Sequence, residues 1–374
     1  MYFGKHIEWI LLAVVFGIAL SSHSFANRFQ TETSSSTRAL GMGNAAINTE
    51  RGTYSTFYNP ANLAVKATGS YFQFTNFQLD ANQGWVEQAG RSKYENIHSL
   101  SNMYKHLINA RGVYASARYS VFPNLTIRNL SLGLLYERNQ GAMVDRNDAQ
   151  DGAVFIRARN RFAPVASLSF RLFSGVLRLG ASAQYLTVGD ADKVLSPPID
   201  TGALSFANHV ESAAGVVITG GVTLTLPFRF LPSFSVVARN MGKTRFRKPP
   251  VVKFGNTRNV SDQPMTVDLA TGWTIYLANR MELKLEGDYR DFYHTLRGGR
   301  MQHVFAGAEL IFFDFLLLRG GYMHGYPTGG LGLKTRKATL DLAWYSDEFS
   351  GRLRTKRDQH FVLQYTFNIF GGFK

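Results

Sequence analysis

The chain has 374 residues, 41 Lys and Arg against 26 Asp and Glu, a net charge of +15, and no cysteine. The missing cysteines exclude a disulfide scaffold, thiolate metal centres and a cysteine nucleophile. Aromatic residues at 13% are many, and charged residues at 18% are few, for a soluble protein of this length.

The first 26 residues read as a secretory signal peptide. Lys5 supplies a positive charge, an apolar run follows from Trp9 to Leu20, and Ser24-Phe25-Ala26 ends the stretch with small residues suited to cleavage after Ala26. Beyond it no apolar stretch reaches the roughly 18 residues of a membrane-spanning helix. Export without such a helix leaves a periplasmic protein, a secreted protein or an outer-membrane barrel.

Residues 27–69 do not alternate in polarity. They hold Arg38-Ala39-Leu40-Gly41-Met42-Gly43 and, further on, Tyr58-Asn59-Pro60-Ala61-Asn62-Leu63-Ala64. Gly41 and Gly43 permit tight or left-handed backbone, and Asn59-Pro60 favours a turn. A segment of this kind is expected to tuck into the mouth of whatever follows.

From Gly69 onward apolar and polar residues alternate, which puts one set of side chains on each face of a strand. Fourteen segments do so: 70–80, 111–122, 129–139, 161–173, 176–188, 215–226, 233–242, 265–278, 280–293, 302–313, 315–324, 329–335, 337–346 and 358–370. Residues 152–159 are read as part of a loop. Most segments are near the roughly 9–11 residues with which a tilted strand crosses a bilayer. In 280–293, Met281, Leu283, Leu285 and Tyr289 oppose Glu282, Lys284, Glu286, Asp288 and Arg290.

The connections carry independent information. Those at 173–175, 278–279, 313–314 and 336–337 are short, whereas 81–110, 140–160, 189–214, 243–264, 294–301 and 347–357 are longer. Alternating short turns and long loops mark an outer-membrane barrel. Gly325 to Thr328 is the exception, a tight turn where a loop is due. Prolines 123, 197, 198, 227, 232, 249, 250 and 327 fall in connections, and Pro164 alone sits inside a segment. The apolar face carries essentially no charge, and its aromatics, including Tyr119, Tyr136, Tyr185, Trp273, Tyr322, Trp344, Tyr365 and Phe367, fit interfacial girdles. The other face then lines the lumen with Arg118, Arg239, Glu282, Lys284, Glu286, Asp288, Arg290 and Arg319, and also Glu137, Arg171, Arg178, Asp268, Glu309 and Asp341. Such charges stay wet in a conduit or pair in a sealed interior.

The Arg38–Gly43 and Tyr58–Ala64 stretches resemble the N-terminal region of the FadL-like outer-membrane barrels. Leu318-Arg319-Gly320-Gly321-Tyr322 and Gly325-Tyr326-Pro327-Thr328-Gly329-Gly330-Leu331-Gly332 are similar to the PorV-like side of that superfamily. The resemblance implies an all-β fold, a 14-stranded antiparallel transmembrane barrel over 70–374 with an N-terminal hatch over 27–69. It makes Arg38, Gly41, Gly43, Asn59 and Pro60 the expected hatch or gate.

Among the loops, Ile97, Leu100, Tyr104 and Leu107 in 81–110 recur at helical spacing, and Leu204 and Phe206 give apolar cover in 189–214. By the resemblance these two loops would capture a lipid-like ligand. Lys243, Arg245, Arg247, Lys248, Lys253 and Arg258, with Arg352, Arg354, Lys356 and Arg357, make basic loops able to meet lipopolysaccharide phosphates. No nucleic-acid partner, no cofactor and no metal is expected, and no hydrolase or phosphate-loop motif occurs. The expected function is passive uptake of hydrophobic or amphipathic molecules across the outer membrane. The alternative is a PorV-like barrel that transports nothing and docks an envelope protein complex.

Overall fold

The computed structural model describes residues 33–66, 70–91, 99–145, 152–196, 199, 204–257, 260–296, 299–348 and 357–370. Its body is an antiparallel sheet closed on itself. In chain order the staves are β1 (Ser70–Asn82), β2 (Tyr114–Val121 and Asn124–Ile127), β3 (Leu130–Val144), β4 (Val154–Leu172), β5 (Leu177–Leu195), β6 (Glu211–Thr225) and β7 (Ser233–Arg239). They continue as β8 (Thr266–Ala278), β9 (Met281–Tyr289), β10 (Val304–Phe312), β11 (Leu316–Met323), β12 (Tyr326–Lys334), β13 (Ala338–Glu348) and β14 (Arg357–Phe370). Each pairs with the next, and β14 closes on β1 through Gln78↔Gln364 and Leu79↔Leu363. Closure satisfies the backbone polar groups without water and leaves no open edge. No described helix is long and apolar enough to cross a membrane.

All fourteen alternating segments are strands of this barrel, and the facing follows the alternation. On β9 Lys284, Glu286 and Asp288 are buried, while Leu283 and Leu285 are partly exposed. On β14 Gln364, Thr366 and Asn368 are buried and Leu363 and Tyr365 exposed. Leu132, Leu134, Phe170, Val222, Val236 and Leu342 extend the exposed apolar band around the wall. A soluble protein does not present such a belt to water; a lipid-facing barrel must.

The structure departs from the alternation in four places. Residues 154–159 are strand, not loop: Val154 to Arg159 pair with β3 on one side and β5 on the other. The bilayer-crossing length was too short a guide, because β3, β4 and β5 run on beyond the level of their neighbours. Pro123 interrupts β2 and does not end it, since both halves pair with β1 and β3. The expected turn at Gly325–Thr328 is instead His324-Gly325, both at positive φ (51° and 92°). That is the geometry of a two-residue hairpin, so Pro327 lies in β12 opposite Tyr322. Finally, the inner face is not uniformly polar: Leu135, Val165, Leu186, Val188 and Val217 point inward and pack together.

Where β7 stops, the following loop completes the wall. Ala214 and Lys248 exchange backbone hydrogen bonds of 2.9 Å, and Asn256 and Thr257 pair in parallel with Glu211 and Ser212.

Candidate functional site: a filled lumen and a pocket on the outer wall

Residues 33–66 occupy the lumen as a plug. Its helix α1 (Thr37–Gly41) starts at Ser36, whose Oγ accepts from the Ala39 N–H at 3.1 Å, the usual cap for orphan N–H groups. Gly43 follows at φ 66°, a conformation that glycine adopts without strain. Its N–H donates to Thr328 Oγ1 at 2.8 Å, and that hydroxyl donates to the Gly41 carbonyl at 3.1 Å. The wall is glycine where the plug touches it. A Cβ on Gly307 or Gly321 would run into the Met42–Gly43 backbone, and one on Gly180 into Pro60–Ala61. The second anchor is Asn59, after α2 (Ser55–Tyr58). Its Nδ2 donates to Thr223 Oγ1 at 2.8 Å and Ser235 Oγ at 3.2 Å.

Charges on the inner wall hold the plug. Glu309 is the hub: it accepts from Arg38 Nε at 2.9 Å and Nη2 at 2.7 Å, from Arg319 Nε at 2.8 Å and from Lys284 Nζ at 3.5 Å. Arg319 also reaches Asp341 at 2.6 Å, Lys284 reaches Glu282 at 3.7 Å, and Arg38 reaches Glu50 at 3.1 Å. Burial opposes the charge on Arg38, but Glu309 and Glu50 outweigh it and raise its pKa. Burial pushes the Glu50 carboxyl above the usual carboxylate range, against the pull of Arg38 and Ser36. The β9 carboxylates cap plug backbone: Glu286 accepts from Asn48 and Thr49 N–H at 2.5 and 3.0 Å, Asp288 from Ala46 N–H at 3.0 Å. Arg239 pairs with Asp268 at 2.5 Å and donates to the carbonyls of Phe57 and, at 2.9 Å, Tyr58. Arg290 donates to the Asn44 carbonyl. A second chain crosses the loop-end wall: Asp358, His360, Asp80, Arg118, Glu137 and Arg161, with Arg118 at 2.9 Å from Asp80 and Arg161 at 3.2 Å from Glu137.

Of the two expectations for the lumen, the structure has the paired one, with the plug filling it except for a pocket of about 260 Å³ beside Arg38, Glu50, Arg51, Lys284 and Glu309. One half of the interior is charged. The other holds an apolar patch, with Tyr54, Phe57 and Tyr58 of the plug against Leu135, Val165, Val188 and Val217. Phe122, at the break in β2, turns inward and packs on Phe57 with ring centroids 4.9 Å apart.

The loops form a separate site outside the wall. α3 (Gln83–Arg91), α4 (Leu100–Leu107) and α5 (Phe206–His209) lie against outward rows of β2 to β5, where Ala115, Ala142, Val144, Ile156, Ala158 and Ala191 give them an apolar seat. Between roof and wall is a cavity of about 610 Å³. Its floor is Phe77, Leu79, Ala117, Tyr119, Arg138 and Gln140; its roof is Trp85, Leu100, Met103, Leu204 and Phe206. Register fixes the facing, because Leu79 lies opposite both Tyr119 and lipid-facing Leu363. Arg138 therefore breaks the expectation of a charge-free outer face. With the Gln140 amide oxygen turned towards it, its Nε and Nη2 both donate there at 3.0 Å.

The structure thus brings Arg38, Gly41 and Gly43 together at one plug anchor, and Asn59 and Pro60 at another. Leu100, Leu204 and Phe206 line the outer cavity; Leu107 and Tyr104 pack behind it. Ile97 lies outside the described residues, as do Arg258, Arg352, Arg354 and Lys356. Arg118, Arg239, Lys284, Glu286, Asp288, Arg290 and Arg319 are buried on the inner face and Glu282 half-buried there, whereas Arg171 is exposed at the mouth. Lys243 pairs with Asp262 at 3.2 Å. Sequence reasoning did not single out Glu309 as a hub, or Glu50, Asp80 and His360 as partners. Nor did it find the Arg138–Gln140 pair, although a lone Arg on an outward row was a visible signal.

A closed fourteen-stave antiparallel barrel with an apolar outer belt is an outer-membrane type of structure, and comparison with solved structures agrees. The chain is similar to the CymD monoaromatic hydrocarbon channel, with TM-score 0.52 and 12% identity over 93% of this chain and 99% of that one. It is also similar to the P. putida toluene transporter TodX, with TM-score 0.50 and 12% identity over 91% and 99%. The likeness is one of fold, and it is the FadL-like fold that the N-terminal motifs resemble. No family model matches the sequence, and no curated protein matches it.

Proposed function

We propose that this protein lets hydrophobic or amphipathic molecules pass the outer membrane without an energy source, and that the cavity outside the wall captures them. The observation that carries the reading is the cavity itself. Two loops roof an apolar space of about 610 Å³, the size and lining of a small-molecule site. Its Arg138–Gln140 pair would orient a polar head while Phe77, Trp85, Leu100 and Met103 take the tail. The floor residue Phe77 lies opposite Val121, immediately before the break in β2. A route through the wall at Phe122-Pro123, with the plug shifting about Asn59-Pro60, joins capture to the lumen. The structural neighbours described as hydrocarbon channels support this direction.

The test is uptake into proteoliposomes. The full-length protein should speed entry of toluene or a medium-chain fatty acid, and Met103→Trp, which narrows the cavity, should slow that entry. Equal rates with and without protein would sink the proposal.

A second reading, a barrel that docks an envelope protein complex, is favoured by one observation. The lumen is filled by the plug and cross-linked by ion pairs, which is what a non-transporting barrel needs. Recovery of a stoichiometric protein partner together with absent uptake would decide for it. Lipopolysaccharide contact by Lys243, Arg245, Arg247, Lys248, Lys253 and Arg357 is compatible with either.

A further inference from the structure

The lumen at the turn end carries positive charge that the ion-pair network does not reach. Arg171 and Arg178 are directly opposed across β4 and β5, close to the turn that joins them. Both belong to the inward rows, as their strand-mates Ser169 and Ser182 show by being buried.

Arg178 is the unusual member. It is only 8% exposed. Its Nη2 donates to Thr225 Oγ1 at 2.8 Å, but its Nε is buried without a hydrogen-bond partner among the described residues. No described acid pairs with Arg178 or Arg171. Elsewhere in the lumen Arg118, Arg161, Arg239 and Arg319 each meet a carboxylate. Like charges directly opposed across a strand pair destabilise it, and a buried charge without a counter-charge is costly. Two arginines held in this way are missing an anion. Guanidinium forks match the planar or tetrahedral oxygens of a carboxylate or phosphate.

We propose that Arg178 and Arg171 form an oxyanion-binding site at the turn-end mouth of the lumen. It takes the carboxylate or phosphate head of a small anionic molecule. Arg178 is the buried anchor, its guanidinium held at one nitrogen by Thr225. Arg171, exposed, meets it from the solvent side. The site is remote from the loop-end cavity, on the opposite face of the wall, and stands whether or not that cavity captures a ligand.

The experiment uses the purified full-length protein in a neutral detergent, with inorganic phosphate and butyrate as separate probes, read by calorimetric titration and by the thermal unfolding midpoint. Wild type should bind at least one probe and gain thermal stability from it. Response to phosphate alone assigns a phosphate head, and response to butyrate a carboxylate head. Arg178→Gln should weaken binding at least about tenfold, the loss of a charge-assisted fork, and Arg171→Gln less. In anion-free buffer Arg178→Gln should unfold at the same temperature as wild type or higher, because it removes an uncompensated charge. Silence towards both probes, an undiminished response in Arg178→Gln, or a lowered anion-free midpoint would each overturn the site.

Discussion

Glu309→Gln is the most informative perturbation of the plug. Glu309 is 1% exposed and accepts from three cations on three elements: Arg38 of the plug, Lys284 of β9 and Arg319 of β11. Breaking a buried pair by removing one partner costs ~3–5 kcal/mol. Each cation keeps one other carboxylate: Glu50 at 3.1 Å, Glu282 at 3.7 Å and Asp341 at 2.6 Å. The effect therefore belongs at the low end, ~3 kcal/mol, or about a hundredfold in the opening equilibrium of the plug. Native-state hydrogen exchange reads this directly. The amides of Leu40, bonded to Ser36 at 3.0 Å, and Asn44, bonded to Ala39 at 2.7 Å, should exchange about a hundredfold faster. The amide of Asn59, bonded to Ser55 at 2.8 Å near the other anchor, should change less. Exchange of Leu40 and Asn44 within about threefold of wild type, against that expectation, would refute the claim that ion pairs hold the plug.

Two further predictions follow from the same geometry. Because the Glu50 carboxyl is pushed up by burial, its contribution to plug seating is complete below the ordinary carboxylate pKa and is lost as pH rises through its raised value; the protection factor of Leu40, with the intrinsic pH dependence of amide exchange divided out, should fall over that rise in wild type, and Glu50→Gln should flatten it, whereas an unchanged slope removes Glu50 from the account. Leu342→Arg puts a charge on the lipid row between Leu331 and Leu363 and should lower folding stability in lipid by ~2–4 kcal/mol; urea unfolding in vesicles measures it, and a wild-type midpoint would contradict the facing.

Much of this was legible from the chain. Period-two alternation is imposed locally by the pleat, so Met281 to Tyr289 reveals both strand and facing without knowledge of any partner. Short turns such as Phe313-Asp314 were equally local, and both residues take positive φ. What the pattern could not carry was pairing across long sequence separations. Glu309 reads as one inward acid among several; only closure brings Arg38 to it. The inward Leu135, Val165 and Val217 were unreadable as interior because an apolar plug face, not lipid, covers them. The outer cavity depended on loops folding down beside the wall, which leaves no period in the sequence beyond Leu100, Met103 and Leu107 on one face of α4.

The central claim is that the apolar rows face hydrocarbon while the charged rows are sealed against the plug. Nitroxide labels placed singly from Leu283 to Asp288 in the reconstituted full-length protein test it, through collision with oxygen, which concentrates in lipid, and with a water-soluble nickel chelate. The account predicts strong oxygen contact at 283 and 285 and little contact with either agent at 284, 286 and 288. Nickel contact at 283 and 285, or oxygen contact at 284 and 286, would contradict it.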